Sequence, residues 1–278
     1  MIDTHVHVVP PGLPGVGELG LSPAGGAAEV AARLRQEMAD AGVTAALAMG
    51  AWNAGPDDPL GVRKTLALAR AVPGLSAIGV ADPLRTDADH LRRAEEVLAA
   101  GQVKALKAYL GYLHYPPDHA GYRPYYELAA RFKVPVVFHT GDTYSPAAKV
   151  RFAHPLPVDD VAVDHPDVRF VLAHAGNPWL TDAAEVVYKN VNVWADLSGL
   201  VVGDAASFAA EERQELLHEA AEGLRRAFRY AERPNRFVFG SDWPLAPLTA
   251  YRDFIRSAIP EVYHTLVFEE NARLLFRL

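Results

Sequence analysis

Cysteine is absent from the 278 residues, which excludes disulfides, thiolate nucleophiles, iron–sulfur ligation and every thiolate zinc site. Any metal must be held by nitrogen and oxygen, and 11 His with 34 Asp and Glu are available for it. An excess of positive charge is also missing. With 27 basic residues the formal charge is −7, so there is no broad field for nucleic acid. No stretch approaches the roughly 18 unbroken apolar residues that a membrane span needs. The opening MIDTHVHVVPP shows no basic segment followed by an apolar one of the exported kind. The expected compartment is the cytoplasm and the expected partner a small molecule, with neither nucleic acid nor membrane. No GxGxxG opens a helix; the Pro/Gly stretch at 11–26 reads as a lid or rim loop.

Hydrophobic residues make up 50% of the chain and charged residues 22%, enough for a sizeable core. Short runs rich in Val, Ile, Leu and Phe alternate with stretches whose apolar residues recur at three and four positions, the strand and helix alternation of an α/β protein. Eight strands are readable, ending near His7, Met49, Ala81, Tyr109, His139, His174, Asp196 and Asp242. The runs VPVVFH, VRFVLAH and RFVFGSD are continuously apolar, as strands covered on both faces must be. Eight such units predict a single (β/α)8 TIM barrel over 1–278. Helices are expected around AEVAARLRQEMADAG, DADHLRRAEEVLAAG and YRPYYELAARF, with Gly42 and Gly101 as left-handed terminators. Loop insertions are predicted after strand 5 (143–157) and strand 7 (204–232), the latter as two helices divided around Gly223.

Ionisable residues fall where the apolar strands end. Residues two apart on a strand share a face, so His5 and His7 can both point into the barrel mouth, joined by His139, His174 and Asp242. Each has a plainer reading alone: HxH can be two surface or core histidines, His139 a hydrogen-bonded core residue, Asp242 a helix cap. Together they are costly to bury without a partner. A divalent cation is the simplest partner, and a His/Asp set leaves a position open for water.

The sequence here resembles the amidohydrolase superfamily, in particular the branch of decarboxylases, lactonases and hydrolases related to aminocarboxymuconate semialdehyde decarboxylase. The resemblance rests on IDTHVH at 2–7, VKALKAYLG at 103–111, VPVVFHTGD ending at Asp142, VRFVLAHAGNPW at 168–179, FVFGSDWP at 237–244 and NARLLF at 271–276. It implies one catalytic divalent metal, zinc first and manganese second, held by His5, His7, His139 and Asp242. Asp242 would also be the catalytic base, with His174 beside the metal as acid–base or carbonyl-polarising group. Lys107 stays open: a carbamylated bridge to a second metal, a substrate ligand, or a lysine whose stem packs. Tyr109, Asp142, Arg151, His154 and Trp179 are the candidate substrate contacts, with Lys149 or Arg151 suited to a carboxylate. His90, His165, His218 and His264 receive no role. The expected reaction is metal-dependent hydrolysis of an amide, ester or lactone, with non-oxidative decarboxylation of an aromatic or unsaturated acid as the alternative. A phosphoesterase or a non-catalytic metal protein is a weaker fit, and a homodimer is expected from the resemblance.

Overall fold

A computed structural model of the chain describes residues 1–16 and 25–278. Eight parallel strands follow one another in sequence order round a single sheet: β1 (Ile2–Val6), β2 (Ala45–Met49), β3 (Leu75–Val80), β4 (Val103–Ala108), β5 (Val136–Phe138), β6 (Phe170–Leu172), β7 (Val193–Asp196) and β8 (Phe237–Val238). The helices are α1 (Ala27–Ala41), α2 (Arg63–Ala69), α3 (Ala88–Ala99), α4 (Arg123–Phe132), α5 (Pro157–Asp164), α6 (Leu180–Lys189), α7 (Ala205–Ala209), α8 (Gln214–Ala231), α9 (Leu248–Ala258) and α10 (Asn271–Phe276). This is the TIM barrel expected from the alternation. None of these helices is long and apolar enough to cross a membrane.

The continuous apolar runs are explained by burial on both sides. Val137 and Val171 fill the barrel interior with Ile2, Leu47, Ile78 and Val238, while their neighbours Phe138 and Phe170 stack outward at 5.5 Å. Tyr126 of α4 meets both rings edge-on. Full burial of each such side chain contributes about 1.5–3 kcal/mol, and polar residues are tolerated only where the strands stop.

The strands stop earlier than their apolar runs. β8 has two residues, and the Gly-Ser-Asp that follows is held by backbone bonds to β1: Thr4 N–H to the Phe239 carbonyl at 2.9 Å, Asp242 N–H to that of His5 at 2.8 Å, and His7 N–H to that of Trp243 at 2.6 Å. These bonds close the barrel and carry Asp242 to the first strand. Asp242 does not cap a helix, since α9 begins at Leu248 behind Pro247.

Gly42 (φ 73°) and Gly101 (φ 75°) are left-handed and end α1 and α3 as expected. The insertion after β7 divides elsewhere than at Gly223. Ala210, in extended conformation, separates α7 from a 3-10 turn leading into α8, and Gly223 lies inside α8, where an added Cβ would sit 3.3 Å from Leu180 of α6. A helical glycine costs about 1 kcal/mol; the burial of Ala221, Leu224, Ala227 and Phe228 along the same helix outweighs it. In the rim loop, Leu13 and Val16 pack on Tyr109 and Tyr112. Residues 17–24 of that loop lie outside the described residues.

Candidate active site

The two histidines of β1 face inward because the strand is irregular. Ile2 belongs to the barrel interior and Val6 to the outer layer against α1, which a strict alternation could not give. The register of β1 against β2 shifts between Asp3 and Val6, and this bulge turns His5 and His7 to the cavity. Asp3 pins it: its Oδ1 accepts from the backbone N–H of His5 and of Ser241, each at 3.0 Å. Burial pushes the Asp3 carboxyl up to about 7, against these hydrogen bonds.

His5 Nδ1 donates to Asp196 Oδ2 at 2.7 Å. Its Nε2 is left as a lone pair aimed at Asp242 Oδ1, 3.5 Å away, and His7 Nε2 lies 3.3 Å from the same oxygen. One ligand atom from each of His5, His7 and Asp242 falls within 4.8 Å of the others. His5 Nε2 and Asp242 Oδ1 are both buried without a hydrogen-bond partner. Two acceptors facing one another in a dry site are unfavourable unless a cation lies between them, so these residues fit a metal. Burial pushes the Asp242 carboxyl up, but the His7 contact and the His5 and His174 charges outweigh it and hold it well below the usual carboxylate range. Burial likewise opposes ionisation of Asp196, yet His5 brings it to about 2.

His174 and His139 form the adjoining wall. His139 Nδ1 lies 3.2 Å from His174 Nε2, while His139 Nε2 donates to the Asp142 carbonyl at 2.9 Å, leaving Nδ1 as the free ligand atom. His139 thus borders the His5–His7–Asp242 trio without lying inside it. The Ser198 hydroxyl reaches His174 Nδ1 at 3.0 Å. Burial lowers His139 well below the ordinary imidazole value, with His174 adding to it, and brings His174 to about 4.

A native pKa below the unfolded one means that stability present above about 6.5 is withdrawn as pH falls toward 4, because only the unfolded chain binds the proton in that window. In metal-free protein, His174→Gln should therefore lose less stability than wild type between pH 6.5 and 4. Urea unfolding at the two pH values checks this, and equal losses would contradict it.

Gly199 stands at φ 63°, and an added Cβ would lie 2.5 Å from His174 Nδ1 and 3.1 Å from Asp242 Oδ2. Gly199→Ala is expected to cost about 1–2 kcal/mol in left-handed backbone strain and, by displacing His174, to reduce turnover about 100-fold. Steady-state kinetics beside a thermal melt would separate the two effects.

These groups floor a cavity of about 240 Å³. Lys107 faces inward, buried, its Nζ without a partner, and burial lowers it to about 8. Tyr109, Tyr112, Asp142 and Tyr144 line the walls; Pro11, Leu13, Val201, Val202, Arg213 and Leu216 line the mouth. The Tyr109 hydroxyl is committed to the Gly50 carbonyl at 2.6 Å.

Three expected substrate contacts do not line the cavity. Arg151 lies over the Phe152 ring at 4.7 Å. His154 pairs with Asp182 at 3.2 Å and packs on Trp179 at 4.7 Å. The segment after β5 runs outward through a 3-10 turn into α5, carrying these side chains with it. Lys149 is exposed on the same segment. None of His90, His165, His218 and His264 lines the cavity.

Sequence reasoning passed over Asp196, Ser198, Gly199 and Arg213. Asp196 had a usable signal, a carboxylate ending the apolar run VWAD; the other three had none.

Comparison with known proteins places this geometry. Solved structures match over the whole chain. An uncharacterized TIM-barrel protein from Bordetella bronchiseptica shares 20% identity at a TM-score of 0.67, covering 100% of this chain and 99% of its own. A probable 2-pyrone-4,6-dicarboxylic acid hydrolase from Acinetobacter baumannii shares 15% at 0.68, covering 100% and 99%. A 5-carboxyvanillate decarboxylase from Novosphingobium aromaticivorans, complexed with manganese and a nitrobenzoic acid, shares 12% at 0.63, covering 100% and 96%. No curated protein sequence matches. The Amidohydrolase family profile matches residues 2–278, and the chain belongs to the Amidohydrolase family, as an enzyme.

Proposed function

We propose that the protein is a metal-dependent hydrolase that opens an ester, lactone or amide bond of a small molecule, with His5, His7, His139 and Asp242 holding one divalent ion, zinc or manganese. The observation that carries this reading is the pair of facing, unpartnered acceptors His5 Nε2 and Asp242 Oδ1 at the floor of the cavity. Such an ion supplies Lewis-acid polarisation and brings the acidity of water toward neutral pH. Asp242, kept ionised, is placed to accept a proton from an attacking water and return it to the leaving group. His174, neutral at pH 7, hydrogen-bonds the carbonyl under attack. Asp196 holds the His5 ring by its Nδ1–H, so that Nε2 stays unprotonated and aimed at the cavity.

One ion suits the cluster better than two. Among the described residues, His5, His7 and Asp242 form the single grouping of three metal-ligating side chains, and Lys107 supplies an ammonium beside it.

Decarboxylation of a carboxylic acid is the second reading. It is favoured by the 5-carboxyvanillate decarboxylase and 2,6-dihydroxybenzoate decarboxylases among the structural neighbours, whereas the 2-pyrone-4,6-dicarboxylic acid hydrolase favours the first. Incubating the zinc- and manganese-loaded protein with lactones, amides and hydroxybenzoates decides between them. Acid release without carbon dioxide supports hydrolysis, and carbon dioxide from a hydroxybenzoate replaces it with the second reading.

A further inference from the structure

Two cations of the cavity take no part in the chemistry above. Lys107 Nζ is buried at the floor with no hydrogen-bond partner, and Arg213, on the turn between α7 and α8, borders the mouth. Arg213 is half-buried. Its Nη2 donates to the Val202 carbonyl at 3.1 Å, which fixes the guanidinium plane, and no carboxylate lies within ion-pair distance of it among the described residues. The other arginine donors remain free. Gly203 leaves them room, since an added Cβ there would come within 3.1 Å of Nη1.

A desolvated ammonium without a counter-charge is costly, and a guanidinium held in one orientation at a cavity mouth is shaped for the two oxygens of a carboxylate. Both conditions are met by one anionic occupant. We infer that the substrate is a small carboxylic acid, that Arg213 grips a carboxylate remote from the reacting bond, and that Lys107 faces electron-rich oxygen at the floor. The inference rests on the cavity being the active site, and it replaces the expectation that Lys149 or Arg151 would hold such a group. The volume of about 240 Å³, below the roughly 300–1,000 Å³ typical of drug-sized pockets, fits one ring with its substituents. Tyr112 and Tyr144 offer aromatic walls to that ring.

The test is calorimetric binding of isophthalate, benzoate and isophthalamide to metal-loaded protein, with no turnover required. Wild type should bind isophthalate and not isophthalamide. Arg213→Ala should weaken isophthalate about 10- to 100-fold with unchanged metal content by elemental analysis, and Arg213→Lys should recover part of the loss. Arg213→Gln serves as the variant of similar size if the alanine form unfolds. Isophthalate binding to folded Arg213 variants as tightly as to wild type overturns the inference, as does equal affinity for isophthalamide or no binding of either acid to wild type. If isophthalate binding depends on Arg213 and the lactone panel releases no acid, the substrate class stands and the hydrolytic reading falls.

Discussion

Asp242→Asn is expected to abolish stoichiometric metal binding and to reduce turnover by about 10²–10⁴-fold from the lost base alone, with the lost ion adding to that. The substitution conserves shape, so its effect is electrostatic. In the wild-type site Asp242 Oδ1 faces His5 Nε2 at 3.5 Å and His7 Nε2 at 3.3 Å, a set of acceptors complementary to a cation. An asparagine amide turned toward His5 would place an N–H donor where the cation belongs, satisfying His5 internally and leaving the site neutral. The metal-free variant should accordingly be no less stable than metal-free wild type. Elemental analysis, kinetics and a thermal melt of the metal-free forms check the three parts; wild-type metal occupancy in the variant would refute the ligand assignment.

Chelation of the wild-type protein should lower its thermal midpoint as well as remove activity. At free metal near 1,000 times Kd, binding to the folded state alone is worth about 4 kcal/mol. At roughly 2–4 °C per kcal/mol for a chain of this size, the midpoint should fall by about 8–16 °C. Adding back zinc or manganese should restore both the midpoint and the turnover. A midpoint indifferent to chelator and metal would mean that the facing acceptors are relieved in some other way.

Much of this was readable in the sequence because the barrel repeats a simple rule. Strands covered on both faces must be apolar throughout, so a His or Asp that interrupts such a run marks its end, and the ends lie together at one mouth. That rule reaches His5, His7, His139, His174 and Asp242 without coordinates. It reaches Asp196 too, a carboxylate at the end of VWAD whose role becomes visible only through its 2.7 Å contact with His5. The rule says nothing about long connections. Arg151, His154 and Trp179 follow strand ends as closely as Asp142 does, yet the segment after β5 turns outward and their partners are Phe152, Asp182 and each other.

The sequence by itself determined the number of strand and helix units, the nitrogen and oxygen character of the site and the strand-end residues that form it. These follow from local hydrophobic period and from side-chain chemistry. Tertiary structure alone decided the bulge that turns His5 and His7 inward, the close approach that requires glycine at 199, and the arrival of Arg213 over the mouth. Each depends on where segments far apart in the chain meet. Asp3 of β1 must bond Ser241 beyond β8, Gly199 must pass beside His174, and the insertion after β7 must break at Ala210 rather than Gly223 for Arg213 to border the cavity.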